Sequence, residues 1–478
     1  MNRFHKNASI PIILSLSVLS GCSMIPPEEP QHQSMLTNEQ IQLKSHDIQA
    51  IHHQWWTQFG DQQLTQLIQL GLTNNLTLQQ AKQRIALASQ QVALAESGDK
   101  PKLNLNVSGG GIGANTQSFN MSNADYSAIG MLLPSFSYQF DFWGKNEATI
   151  TAASDQKLSL QAQEAQARLV ISASIASSYF ALQNNYRLEQ NLTTLLDEIN
   201  HQNKVITAQV KRGLASEAES FQNQGDIDTL SAQLSDAKTQ QQLAKNQLAL
   251  YLAKTPDQLG QLTLPNAQVI NQLAAVDTIP MNLLGRRPDI IASKWMVEAN
   301  EQGIKQAKAS YYPDVNLMVM GVFQKLSSMN PASLFLGGAT VAASLPLYDG
   351  GVRDANYASA NIQFDQAVTN YNQTVLNAVK QTSDAIVSLQ EAQKQQVLAQ
   401  SSVMHYQQAY DILNNRYVRG LSSFADMNSA RMQWHQQVVK VTNTESAILQ
   451  NQLQLIVALG GDYQQEQSVL ASTPSNNE

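Results

Sequence analysis

Cysteine is nearly absent. The 478-residue chain holds a single one, Cys22, so no disulfide can form within it. Charge is sparse, at 14% of residues, and the net balance of −7 gives no basic stripe of the kind that tracks a nucleic-acid backbone, so no nucleic-acid partner is expected. Aromatic residues are also few, at 6%. Downstream of Cys22 no apolar run approaches the ~20 residues that a transmembrane helix needs, which leaves a β-barrel as the only way for the mature chain to cross a membrane. Proline and glycine are missing throughout Lys145–Arg212, which removes the usual helix breakers. Catalytic groupings are lacking too: no Ser/His/Asp, Cys/His or paired-carboxylate arrangement stands out, which points away from an enzyme. His52-His53 has no third ligand at metal spacing, so no metal is expected. Gly109-Gly110-Gly111-Ile112-Gly113 lacks the Lys-Ser/Thr ending of a phosphate loop, opens no helix, and reads as a flexible strand end.

The length alone suggests about three domains of roughly 150 residues. The composition, rich in Gln, Ala, Leu, Ser and Asn, suits long helices better than ordinary globules. At the N-terminus Arg3 and Lys6 precede a short apolar stretch, Ala8 to Leu19, followed by Leu19-Ser20-Gly21-Cys22. This looks like the lipobox of a bacterial lipoprotein: residues 1–21 form the signal peptide, and Cys22 carries a covalent diacylglycerol and an N-acyl chain, the only non-protein groups expected. The bland alternative is an ordinary signal peptide with an incidental cysteine. Ser23 follows, rather than the Asp linked to inner-membrane retention, which favours the outer membrane.

The rest of the chain is one unit written twice. Asn75 to Val107 parallels Arg287 to Val319, each running through a helical segment to a Pro and an alternating strand; Lys211-Arg212-Gly213-Leu214-Ala215 parallels Val418-Arg419-Gly420-Leu421-Ser422. Four strands are expected, at about 102–113, 127–142, 314–326 and 334–348. In the second, Phe136, Tyr138, Phe140 and Phe142 alternate with Ser135, Ser137, Gln139 and Asp141, the pattern of a transmembrane barrel strand or of a half-buried soluble sheet. Four strands cannot close a membrane barrel, since known ones start at about eight, so several chains must share one if the strands lie in lipid. Long helices follow each strand pair, Lys145 to Arg212 and Gly351 to Arg419, with shorter returning helices at about Ser216 to Lys254 and Ser423 to Leu459. Leu192, Leu196, Ile199, Ile206 and Val210 keep a coiled-coil-like spacing. The division is 1–21 signal peptide, 22–62 lipidated segment, 63–260 first repeat, 261–285 linker, 286–464 second repeat and 465–478 loose tail.

With these features in place the chain resembles the TolC-like outer-membrane efflux factors, in particular their lipoprotein branch in resistance-nodulation-division systems. The resemblance covers essentially the whole mature chain. It rests on Trp55-Trp56-Thr57-Gln58-Phe59-Gly60-Asp61 with Leu64 and Leu67, on Leu283-Leu284-Gly285-Arg286-Arg287-Pro288-Asp289-Ile290, on Tyr312-Pro313 and on Leu347-Tyr348-Asp349-Gly350-Gly351. It implies a mostly α fold with β strands, as a homotrimer whose shared twelve-stranded barrel, four strands per chain, continues into a long helical coiled-coil periplasmic tunnel. It implies passive export of small molecules such as drugs, with a periplasmic adaptor and an inner-membrane efflux transporter as partners and outer-membrane lipid around the barrel.

The same resemblance implies a gate at the helix tips, held shut by Arg416, Tyr417, Arg419 and Asp426, with Lys211, Arg212, Glu217 and Glu219 as further charges on the first-repeat tip. Gly213, Leu214, Gly420 and Leu421 are the implied adaptor contacts. Relatives often carry a second Asp where this chain has Ser429, so Asp426 stands alone. Read without the resemblance, the tip residues are a solvated helix end whose ion pairs contribute little. Two other functions remain open on the sequence: a duct for type I protein secretion, and a non-conducting periplasmic lipoprotein tether.

Overall fold

A computed structural model of the chain describes residues 27–37, 39–41, 54–114, 125–270, 283–327, 332–461 and 463. Cys22 with the signal peptide, His52-His53 and the tail from 465 lie outside the described residues. One succession of elements occurs twice. The first half runs α1 (Gln62–Asn74), α2 (Leu76–Glu96), β1 (Lys102–Ala114), β2 (Asp125–Phe140), α3 (Lys145–Lys211) and α4 (Glu217–Tyr251). The second runs α5 (Leu283–Arg286), α6 (Pro288–Ala309), β3 (Asp314–Ser327), β4 (Ala332–Ser344), α7 (Val352–Val418) and α8 (Phe424–Ala458). The two long helices have 67 residues each, about 100 Å at 1.5 Å per residue. Their returning partners have 35 each. No described helix is long and apolar enough to cross a membrane.

The chain divides into two compact units. The first comprises Ile85–Ser159, Ser293–Tyr371 and the segment ending at Met35. Its sheet is antiparallel in the order β1-β2-β3-β4. Residues paired across strands share a face, so the register lays out two surfaces. Leu103 lies opposite Phe136 and Phe136 opposite Val319; Val107 lies opposite Leu132, Leu132 opposite Phe323 and Phe323 opposite Phe335. On the other face Gln139 lies opposite Asn316 and Ser137 opposite Met318, which meets Thr340. The apolar face is bare: Leu103 is 77% exposed, Val107 68% and Phe335 64%. Among the described residues β1 and β4 each pair on one side only.

Both strand pairs are slightly shorter at the helix side than the alternation suggests. β2 stops at Phe140 rather than 142 because Asp141 turns to cap α3, its two carboxylate oxygens accepting from the backbone N–H of Lys145 at 2.7 Å and Glu147 at 2.9 Å. β4 stops at Ser344 rather than 348, ahead of Pro346, which has no N–H for a ladder. Asp349 then caps α7 as Asp141 caps α3, accepting from the N–H of Gly351 and Arg353. The Gly109–Gly113 stretch forms the end of β1, as the sequence suggests, and is paired residue by residue with β2. A strap from the N-terminal segment lies along α7, where His32 Nδ1 meets Asp365 at 3.0 Å and Thr369 donates to Gln33 at 3.0 Å, and reaches the end of α6, where Lys308 binds Glu29 at 2.6 Å.

The second unit comprises Leu36–Arg84, Leu160–Ala292 and the chain from Asn372 onward. The Trp55–Phe59 turn buries Trp55 and Phe59, and Phe59 packs on Phe180 with ring centroids 4.9 Å apart. Asp61 caps α1 through the N–H of Leu64 and also accepts from Tyr179 Oη and the N–H of Asn266, both at 2.8 Å. Arg287 is 4% exposed and holds three partners: Asp289 through a two-pronged pair, Gln381 at 2.9 Å, and the Ala458 carbonyl at 2.9 Å. Pro288 follows at the first position of α6, where its missing N–H costs nothing. The Arg-Pro-Asp motif is therefore an anchor that ties the start of α6 to the end of α8. Gly460, at φ 89°, passes so close to the Arg286 carbonyl that a Cβ would sit 2.6 Å from its oxygen.

Candidate gate at the helix tips

Both helical reversals are built alike. At the first, Gly213 adopts φ 66° and the N–H of Leu214 bonds back to the Gln209 carbonyl at 2.9 Å. At the second, Gly420 adopts φ 71° and the N–H of Leu421 bonds back to the Arg416 carbonyl at 2.8 Å. Glycine takes the left-handed cap without strain, and the backward bond satisfies a carbonyl at the helix end. Ser216 and Ser423 then cap the returning helices.

The second tip sets the Arg416 charge near Asp426, each side chain taking its own hydrogen-bond partner. Arg416 donates to the Leu421 carbonyl at 3.3 Å, and Asp426 forms a capping box with Ser423, accepting from its hydroxyl at 2.6 Å and its N–H at 3.3 Å. The Ser423 hydroxyl, the Ser423 N–H and the nearby Arg416 charge hold the Asp426 carboxyl below the usual carboxylate range, so it is ionised at neutral pH. Arg419 is exposed and takes no part in these bonds. Tyr417 is half-buried against Phe424 rather than offered to solvent. On the first tip Lys211, Arg212 and Glu217 are exposed and Glu219 is half-buried.

Behind the tips lies a layer that the sequence motifs did not flag. Ile206 of α3 and Phe424 and Met427 of α8 form an apolar cluster, with Val210, Tyr410 and Tyr417 against it. Next comes a polar layer. Arg431 of α8 is 2% exposed; its guanidinium donates to Gln202 of α3 and to Asn428 at 2.5 Å. Asn428 donates in turn to Asp226 of α4 at 2.7 Å. Trp434 stacks on Tyr410 of α7 with centroids 5.4 Å apart, and His435 lies 3.7 Å from Glu198 of α3. Burial pushes Arg431 below its ordinary value, but a guanidinium starts so high that it stays charged. Burial and the Arg431 charge push His435 down to about 4, so it is neutral at pH 7. Phe424, Met427, Asn428, Arg431 and Trp434 recur at helical spacing on α8. That spacing is a signal by which the sequence could have shown a packed face here, though it does not say which helices lie against it.

An exposed apolar sheet with open edges, joined to very long helices that reverse at glycine tips, defines an outer-membrane channel protein. The sequence profile of outer membrane efflux proteins matches residues 67–254 and 279–461. The chain belongs to that family, and it is the outer-membrane channel of an efflux pump, spanning into the periplasm. It is 27% identical to the multidrug resistance outer membrane protein MdtP of Escherichia coli K12, over 95% of this chain and 96% of that one. The crystal structure of the outer membrane protein VceC from Vibrio cholerae superposes with a TM-score of 0.76 at 28% identity, over 86% of this chain and 99% of VceC. The Campylobacter jejuni CmeC outer membrane channel shares the fold, with a TM-score of 0.76 at 22% identity over 98% of this chain and 95% of CmeC.

Proposed function

We propose that the chain conducts drug-sized toxic compounds passively, as a homotrimer gated at its helix tips and anchored by lipid on Cys22. The observation that carries this is the four-stranded sheet with a bare apolar face and two open edges. In lipid every unpaired backbone group costs several kcal/mol, so the edges must pair with other copies. Pairing β4 of one copy with β1 of the next repeats one contact head to tail and closes a ring. Two copies give about eight strands, whose interior side chains fill; three give twelve and leave room for a channel. MdtP is named for multidrug resistance, which supports drugs as the cargo.

The Glu29–Lys308 bond supports the anchor. Lys308 lies at the end of α6, next to the start of β3, and the short stretch back from Glu29 to Cys22 reaches at most about 25 Å when extended. The bond holds Glu29 near the sheet, where a membrane surface is expected, which favours an anchor a few residues upstream. Leu214 and Leu421, exposed on the two tips beside Gly213 and Gly420, offer a periplasmic adaptor matching apolar knobs, and through it an inner-membrane transporter supplies cargo and energy.

The test is planar-bilayer conductance of purified trimers, beside the double variant Arg416→Ala with Asp426→Asn. Rare or small currents from the parent and large, stable ones from the variant are expected. Equal large currents from both remove the gate and leave the channel. No current from either, with trimers confirmed, removes conduction itself.

A further inference from the structure

The polar layer behind the tips joins three helices through Arg431, with a fourth stacked one turn further on. Arg431 reaches α3 through Gln202 and α4 through Asn428 and Asp226; one turn further along α8, Trp434 lies flat on Tyr410 of α7. The level is consistent on every helix. Arg431 lies about 10 Å inside the start of α8, Gln202 about 14 Å before the end of α3, and Asp226 about 14 Å inside α4. The apolar cluster of Ile206, Phe424 and Met427 lies between this layer and the tips.

Apolar contacts tolerate sliding, whereas a buried charge with directional hydrogen bonds is satisfied in one alignment only. The α7–α8 hairpin therefore cannot shift against α3 and α4 by a fraction of a turn without stranding the guanidinium. The layer is also incompletely satisfied. Arg431 Nε finds no protein acceptor, and Asn223, one turn nearer the tip than Asp226 on α4, has both side-chain polar atoms buried without protein partners. Groups of this kind regain solvation when helices part and water enters, which offsets some of the loss on opening. An arrangement that resists small displacement yet loses less on full separation behaves as a clasp with two states.

We infer that Arg431 is the clasp that fixes the α7–α8 hairpin to α3 and α4 in the closed channel, and that release of its bonds to Gln202 and Asn428 is the step that lets the tips part. This rests on the reading of the tips as a gate. Arg431 acts as a positioning residue: it sets the alignment of the tip hairpins from behind the reversal itself.

The experiment is bilayer conductance of the full-length trimer as parent, Arg431→Met, Arg431→Lys and Gln202→Leu, with the Arg416→Ala/Asp426→Asn tip variant alongside. Arg431→Met, which keeps the bulk and removes the fork, is expected to raise the fraction of time open by about tenfold or more, the size expected when a buried charged contact is removed. Arg431→Lys keeps the charge without the two-pronged geometry and is expected to fall between parent and Arg431→Met. A role confined to stability predicts earlier melting of the trimer without a graded change in open time. Parent-like currents from assembled Arg431→Met trimers overturn the clasp. If Arg431→Met fails to assemble, the half-exposed Gln202→Leu decides, and parent-like currents from it likewise overturn the proposal. Opening by the tip variant alone removes the clasp and keeps the gate; opening by Arg431→Met alone keeps the clasp and removes Arg416 and Asp426 from the closure.

Discussion

His435 shows how one side chain can report on the whole tip. It is surrounded by Trp434 and Arg431 of its own helix and by Glu198 of α3, and burial holds its folded pKa near 4 against 6.5 for a free imidazole. A base whose pKa is lowered by folding stays neutral in the fold while the unfolded chain takes up a proton. Its contribution to stability is therefore fully present above about pH 6.5 and is lost as the pH falls towards 4. Protonation also places a second cation beside buried Arg431. The protection of α8 amides, taken as exchange relative to the intrinsic rate at each pH, is expected to fall between about pH 6.5 and 4.5 in the parent and much less in His435→Gln, which has no charge to gain. Equal loss of protection in both would assign the effect to the carboxylates. Arg287 is the contrasting case, a buried cation whose carboxylate is two residues away and whose remaining bonds reach Gln381 of α7 and the Ala458 carbonyl at the end of α8.

At the scale of the element, the repeat supplies each long helix with the same end chemistry. Asp141 and Asp349 start α3 and α7, Gly213 and Gly420 end them, and Ser216 and Ser423 start the returning helices. The glycine reversals and the serine starts were legible because capping is local, an acceptor within a few residues of the free N–H groups being enough, whereas alternation alone reads Asp141 as a strand residue. The gate residues were legible as a tip and no further. Asp426 was expected at an aperture, and its nearest role is the capping box with Ser423. Ser423→Ala is expected to cost about 1 kcal/mol of α8 stability and to free the Asp426 carboxylate from its main donor. Chemical denaturation in detergent gives the first effect. If the midpoint is unchanged, the capping box is not holding the tip.

For the whole molecule the decisive feature is the two-faced sheet. If the Leu103, Leu105 and Val107 face meets lipid, a charge there must be desolvated, at about 2–4 kcal/mol near the bilayer midplane. Leu105→Arg is expected to reduce heat-resistant trimers in the outer-membrane fraction severalfold, and Asn106→Arg, on the opposite face, to leave them near parental level. Equal loss from both substitutions would argue against a lipid-facing surface. The alternation showed both faces in the sequence, and the register places paired apolar residues across all four strands.

By itself the sequence determined what depends on neighbours along the chain. Helix length follows from the absence of breakers in Lys145–Arg212, the reversals from glycine, strand faces from alternation, and the tandem architecture from repeated motifs. The tertiary structure alone decided what depends on which helix lies beside which. The Arg-Arg-Pro-Asp-Ile motif became an anchor only when the Ala458 carbonyl and Gln381, remote in sequence, met Arg287. Arg431 became a candidate clasp only when Gln202 and Asp226, each more than 200 positions away, came to its level. A single helical face records that a residue is buried, but hydrogen bonds between helices depend on register across chain segments that no local pattern encodes.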